Sequence, residues 1–157
     1  MIRLSDEQVH ALEAALPPDT VALLRDPGVP ELVVFRGIEH AFTLDMDPLL
    51  GGRAFRVGTV DHGWYAMAVQ RRTGHFGYVF PEPEQPPWVF CNSSVACFLS
   101  CFAASERLWQ MEEGKQIAGE ARGEWLEREI RRIDNVVFTD ENNIWSFLVE
   151  ELRNELV

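Results

Sequence analysis

Apolar residues recur at two spacings along this chain, and the change of spacing separates helical ends from a stranded middle. Val9, Leu12, Ala15 and Leu16 lie three or four residues apart, the period of one helix face. Ser5 and Gln8 stand ahead of them as a capping box, in which each side chain bonds the other's backbone N–H. Pro17-Pro18 stops that helix. Asp19 is placed to cap a short second one through Leu24, closed by Asp26-Pro27-Gly28. Leu32-Val33-Val34-Phe35 is a β-branched run and reads as a strand. From Ala54 the period falls to two: residues 54–60, 64–69 and 75–80 alternate, separated by Asp61-His62-Gly63 and Arg72-Thr73-Gly74. Turns this short leave no room for crossover helices, so the three strands form an antiparallel meander.

The proline-rich segment 81–87 blocks both helix and central strand and is expected to be an exposed loop. Trp88-Val89-Phe90 follows as an apolar strand. Val95, Phe98, Leu99, Phe102 and Trp109 then return to the helical period, to about Glu113. Asn92-Ser93-Ser94 sits at this join, where side-chain oxygens can accept from the unpaired N–H groups of the first helical turn. A further helix over 120–133 sets Leu126, Ile130 and Ile133 against a face of Glu and Arg. Its i, i+4 pairs, such as Glu124/Arg128 and Glu127/Arg131, contribute only about 0.3–0.5 kcal/mol each. The last helix starts near Asp140 and carries Ile144, Trp145, Phe147, Leu148 and Leu152. The expected fold is α+β, a mostly antiparallel sheet covered by helices. One domain is expected over 1–157, with a helical segment at 1–28 and a core at 30–155.

Size and composition add a class. At 157 residues and 46% apolar, with 5 Trp and 10 Phe, the chain can remove roughly 70% of its unfolded surface from water without staples. No stretch approaches the ~20 apolar residues of a membrane span. The start lacks the apolar core of a signal peptide, so a cytoplasmic location is expected. Cys91, Cys97 and Cys101 are odd in number, which suits free thiols. Net charge is −11: residues 1–80 hold 10 acids and 7 bases, and residues 81–157 hold 15 and 7. Such a surface repels nucleic acid and anionic lipid and attracts a basic protein.

Candidate chemistry is sparse. His10, His40, His62 and His75 are dispersed, and the turns carrying His62 and His75 fall at opposite ends of the middle strand. No nucleophile elbow, His-Glu-x-x-His pair or Walker loop occurs, and Gly51-Gly52 precedes a strand rather than a helix. Cys97 and Cys101 share a helix face as core fillers or as half of a metal site. Cys91 stands just before a helix N-terminus, where the positive end of the dipole lowers a thiol's pKa, and is the candidate if a nucleophile is present. The reading assigns no catalytic residue, metal ligand or cofactor. Recognition residues fall instead in loops at the sheet rims: Asp45, Asp47, Asp61, Glu82 and Glu84. Trp64, Tyr65 and Trp88 are expected in the core and become anchors only where exposed, Trp64 first.

Taken in order, several segments resemble a known family. They are Phe55-Arg56-Val57-Gly58, 65–69, Thr73-Gly74, Val89 to Val95, Ile133-Asp134, Asp140 and the helix over 144–152. This set resembles the SUKH superfamily of immunity proteins, in particular its fourth group, over about residues 30–155. The resemblance implies a SUKH-like α+β domain. It also implies a cytoplasmic, non-catalytic protein that neutralises a cognate toxin of nuclease or deaminase type, as a monomer or weak dimer. Two alternatives stay open: a regulatory protein-interaction module of the same fold, and a small thiol- or metal-dependent enzyme.

Overall fold

A computed structural model describes residues 1–81, 87–114, 117 and 119–154. The chain divides into two compact units, one of residues 1–90 with 94–96, the other of residues 91–93 with those from 97 onward. Among the described residues no helix is long and apolar enough to cross a membrane.

The first unit opens with α1 (Asp6–Leu12). Its capping box forms as the sequence predicts: the Gln8 N–H donates to Ser5 Oγ and the Ser5 N–H to Gln8 Oε1. The helix stops at Leu12, earlier than its apolar spacing suggests, yet Ala15 and Leu16 still pack inside through a following turn. α2 (Pro18–Arg25) corrects the expected cap. Pro17 is the N-cap and Pro18 the first helical residue, where a missing N–H costs nothing. Asp19 lies inside the first turn instead.

Strands β1 (Leu32–Phe35), β2 (Ile38–Phe42), β3 (Pro48–Leu49), β4 (Ala54–Val60), β5 (Tyr65–Gln70), β6 (Phe76–Val79) and β7 (Val89–Asn92) make one sheet. Its order is β1-β2-β4-β5-β6-β7, with β3 also on β4. The registered pairs from β1 to β6 are antiparallel, so the meander over β4, β5 and β6 is as predicted. β2 was not legible. Arg36 and Gly37 turn the chain with φ of 54° and 76°, the geometry of a two-residue hairpin loop that Asn-Gly normally announces. β4 breaks register between Arg56 and Gly58, and both Val57 and Gly58 face inward. A Cβ on Gly58 would collide with the Ala41 carbonyl and the end of Met67, so only glycine lets these strands close.

Val33, Phe35, Phe42, Val60, Met67 and Phe76 fill this unit's core, together with one imidazole. His40 Nδ1 lies 3.1 Å from the Ile38 carbonyl and Nε2 3.3 Å from the Tyr78 hydroxyl. A neutral ring satisfies both, donating to the carbonyl and accepting from the phenol. Burial lowers the His40 pKa, and the Ile38 hydrogen bond only partly opposes it.

The second unit contains the end of β7, most of α3 (Val95–Gly114), α4 (Gly119–Ile133), a 3-10 turn (Asn135–Thr139) and α5 (Ile144–Arg153). α5 starts at Ile144 rather than near Asp140, capped by Asn143, whose Oδ1 accepts the Trp145 N–H at 3.0 Å. Asp140 instead accepts the Asn142 N–H in the turn before it. α4 and α5 touch at Gly123, where a Cβ would strike Arg153 and the Val149 carbonyl. One turn further along α4, Glu127 receives both Arg131 and Arg153.

One buried polar cluster joins these elements. Asp134, at the end of α4, accepts the Ser93 N–H (2.7 Å), the Ser93 hydroxyl (2.8 Å) and the Asn92 amide (3.0 Å). Asn92 Oδ1 accepts the Trp145 indole N–H at 2.8 Å and the Cys91 thiol at 3.2 Å. Its Nδ2 also reaches Cys101 Sγ at 3.6 Å, so every donor and acceptor position of this fully buried amide is used. Asn143 Nδ2 completes the cluster on the Cys91 carbonyl. Asn92 and Ser93 thus turn their side chains to Asp134 and Trp145 rather than acting only as the local helix caps their position suggested.

Two outcomes follow. Asp134→Ala leaves the buried Asn92 amide and two half-buried Ser93 donors without their acceptor and should cost about 3 kcal/mol, read as a lower urea midpoint by tryptophan fluorescence. His40 gives a pH effect. With a folded-state pKa below the unfolded value of about 6.5, the unfolded chain binds the proton first. Stability is therefore full above pH 6.5 and declines as pH falls from there toward the folded-state pKa. Glu127 and Asp45, whose pKa values are also lowered, act below that window. The urea midpoint should fall between pH 7.5 and 5.5, and His40→Gln should flatten that slope.

Candidate partner-binding face

The turn after β4 stores backbone strain. Asp61, His62 and Gly63 take φ of 49°, 57° and 96°, and a left-handed non-glycine residue costs roughly 1–2 kcal/mol. The Trp64 N–H holds the turn by donating to the Val60 and Asp61 carbonyls at 3.1 and 3.3 Å. It leaves the Trp64 side chain 71% exposed, against the expectation of core packing. Tyr65 and Trp88 are half-buried: Tyr65 stacks on Phe80 and meets Tyr78 edge-on, and Trp88 covers Gly77.

Register places Trp64 beside an outward-facing surface of the first unit. Leu32, Ala41, Thr59, Ala66 and Val79 stand opposite one another in turn across β1, β2, β4, β5 and β6. This row carries no charge, and no member of it is buried. The neighbouring row begins with Val34 opposite Glu39. Asp61 and Trp64 flank the Val60–Tyr65 pair that ends the β4–β5 ladder. Glu39 and His62 lie 3.7 Å apart. Leu32 and Val34 are 49% and 46% exposed, and Ile38 at the hairpin is exposed as well.

Asp45 and Asp47 sit elsewhere. Segment 43–47 runs along the first half of β4, through backbone bonds to Arg56 and Val57, with Leu44 and Met46 buried at φ of 51° and 57°. Gln8 steadies it by donating to the Leu44 carbonyl at 2.8 Å. The alternate residues Asp45 and Asp47 face outward, and Arg56 grips both, with Nε 2.9 Å from Asp45 and Nη2 2.6 Å from Asp47. Burial works to raise the Asp45 carboxyl. Hydrogen bonds from Arg56, Thr43 and the Asp47 backbone, with the Arg56 charge, outweigh it and hold the pKa below the usual range.

The structure therefore brings Asp61 together with Trp64, and Asp45 together with Asp47. The two pairs lie toward opposite ends of β4, five residues or about 16 Å apart along the strand. Glu82 and Glu84 lie outside the described residues. Sequence reasoning missed Leu32, Val34, Ile38 and Glu39. A continuous apolar run reads as a strand buried on both faces, but β1 buries only Val33 and Phe35.

Cys91 and Cys101 are fully buried and Cys97 half-buried. Burial, with the Asp134 charge adding to it, pushes the Cys101 thiol up to about 12, against the lowering hydrogen bond from Asn92. His62 and His75 fall at opposite ends of β5, as predicted, with His75 edge-on to Phe90. Among the described residues no three of His, Cys, Asp and Glu are grouped to hold a metal ion.

A family model described as SUKH-4 immunity protein matches residues 1–151. No curated protein and no solved structure matches the chain.

Proposed function

This chain belongs to the SUKH-4 immunity protein family, and we propose that it neutralises a cognate toxin by binding it through the outward sheet face around Trp64. The observation that carries this reading is the turn over 61–64. A strained, internally hydrogen-bonded loop holds a tryptophan 71% exposed, beside acids and an uncharged row of strand residues. Interface energy concentrates in a few rigid aromatic anchors ringed by weaker contacts. Trp64 is the anchor in this reading, with Asp61 and Glu39 at its margin. Asp45, Asp47, Glu82 and Glu84 supply further negative potential toward the partner.

The partner is a basic toxin domain of nuclease or deaminase type, attracted to a surface of net charge −11. Protection is stoichiometric and involves no catalysis, which the burial of Cys91 and Cys101 supports. The protein works in the cytoplasm as one domain over 1–157, a monomer or weak dimer when unbound. A standard interface of about 1,600 Å² suffices.

Co-expression with the toxin domain encoded beside its gene should restore growth and yield a co-purifying complex. Loss of both, with each protein folded, rejects the reading. Trp64→Ala should weaken the complex about 30-fold or more and leave the unfolding midpoint unchanged, because the side chain packs little in the free protein. The association rate should fall steeply as salt rises. An association rate indifferent to ionic strength removes the electrostatic part.

A further inference from the structure

β1 ends the strand order, and its registered partner is β2. Hydrogen-bonded and non-bonded pairs alternate along an antiparallel ladder, and one bond fixes the phase here. The Phe42 N–H donates to the Glu31 carbonyl at 2.9 Å, so Glu31, Val33 and Phe35 turn their backbone groups toward β2. Leu32 and Val34 turn theirs the other way, along the sheet margin. These two residues also carry the exposed side chains of the strand. Leu32–Phe35 holds no charge, proline or bulge, devices with which proteins guard such edges against added strands.

We infer that this margin receives an extended segment of the toxin as an added strand, with apolar side chains at alternate positions and Lys or Arg beside them. The inference rests on the immunity reading above and specifies how the partner docks. The backbone groups of Leu32 and Val34 supply the main-chain bonds, and their side chains meet the alternate apolar residues. Charge selects the basic residues: Glu31 stands exposed at the strand's entry and Glu39 lies opposite Val34, with Arg36 in the turn and His62 3.7 Å from Glu39 as the bases beside them. A second copy of this chain is a poorer occupant. Two four-residue strands bury far less than the roughly 1,200 Å² of a stable interface, and two molecules of charge −11 repel.

The test titrates the isotope-labelled full chain with a blocked hexapeptide alternating arginine and valine. Saturable shifts should centre on the Leu32 and Val34 amides. A glutamate–valine peptide, and an arginine–valine peptide N-methylated at alternate residues, should each bind at least 10-fold more weakly. Val34→Pro removes an outward N–H while sparing the β1–β2 ladder, a placement that edge strands accommodate. It should lose binding as the methylated peptide does, whereas Val34→Thr keeps it. If Val34→Pro fails to fold, the methylated peptide on the wild-type chain decides alone. Shifts centred elsewhere, equal binding of the methylated peptide, or no saturable binding at millimolar peptide overturns the inference. So does concentration-dependent dimerisation that Val34→Pro abolishes, which would assign the edge to a second copy. Growth protection reports separately: protection without edge binding rejects this inference alone, and edge binding without protection rejects the immunity reading.

Discussion

The Asp134 carboxylate is the fixed point of the second unit. It gathers the Ser93 N–H, the Ser93 hydroxyl and the Asn92 amide, and through Asn92 it reaches the Trp145 indole. Each of these groups is costly to bury alone, and together they are satisfied. The segments joined this way, 91–93, 134 and 143–145, are far apart in sequence, so the cluster specifies one arrangement of β7's end, α4 and α5. Apolar packing supplies the bulk of the stabilisation around it, with Phe98, Leu126, Ile130 and Leu148 fully buried.

These are also segments that carry the family resemblance. Asn-Ser-Ser before α3, Ile-Asp at the end of α4 and the Trp helix are brought together in this chain by one hydrogen-bond cluster. That places the recognisable part of the sequence in the scaffold. The face argued to meet a partner lies in the first unit and is built from ordinary strand residues, one strained turn and an exposed tryptophan.

Much of the fold was legible because periodicity reports burial directly. β4 matches the bounds of its apolar run, although Val57 and Gly58 both turn inward at the break in register, and α4 and α5 match their apolar stripes. β2 was hidden by its own composition: Glu39 and His40 interrupt the apolar pattern, and an Arg-Gly turn replaces the usual signal. The face was only partly legible. Asp61 and Trp64 were named from turn position and residue type, whereas exposure of Trp64 follows from three left-handed residues that no local pattern announces. Arg56 was visible as a residue but not as the partner of Asp45 and Asp47, since that grip depends on a loop whose buried Leu44 and Met46 take left-handed backbone. Asn92 and Ser93 were flagged as a helix junction. Their bonds to Asp134, some forty residues on, are tertiary and have no sequence signal.

Asp134 holds the scaffold, and Trp64 leads the proposed working face. Amide hydrogen exchange of the protein, free and bound to its toxin, tests that separation most directly. Binding should slow exchange across 32–42 and 59–66 and leave 91–93 and 134–145 as they are in the free protein. Protection centred on 91–93 and 134–145, with none on the β1–β5 face, would contradict it.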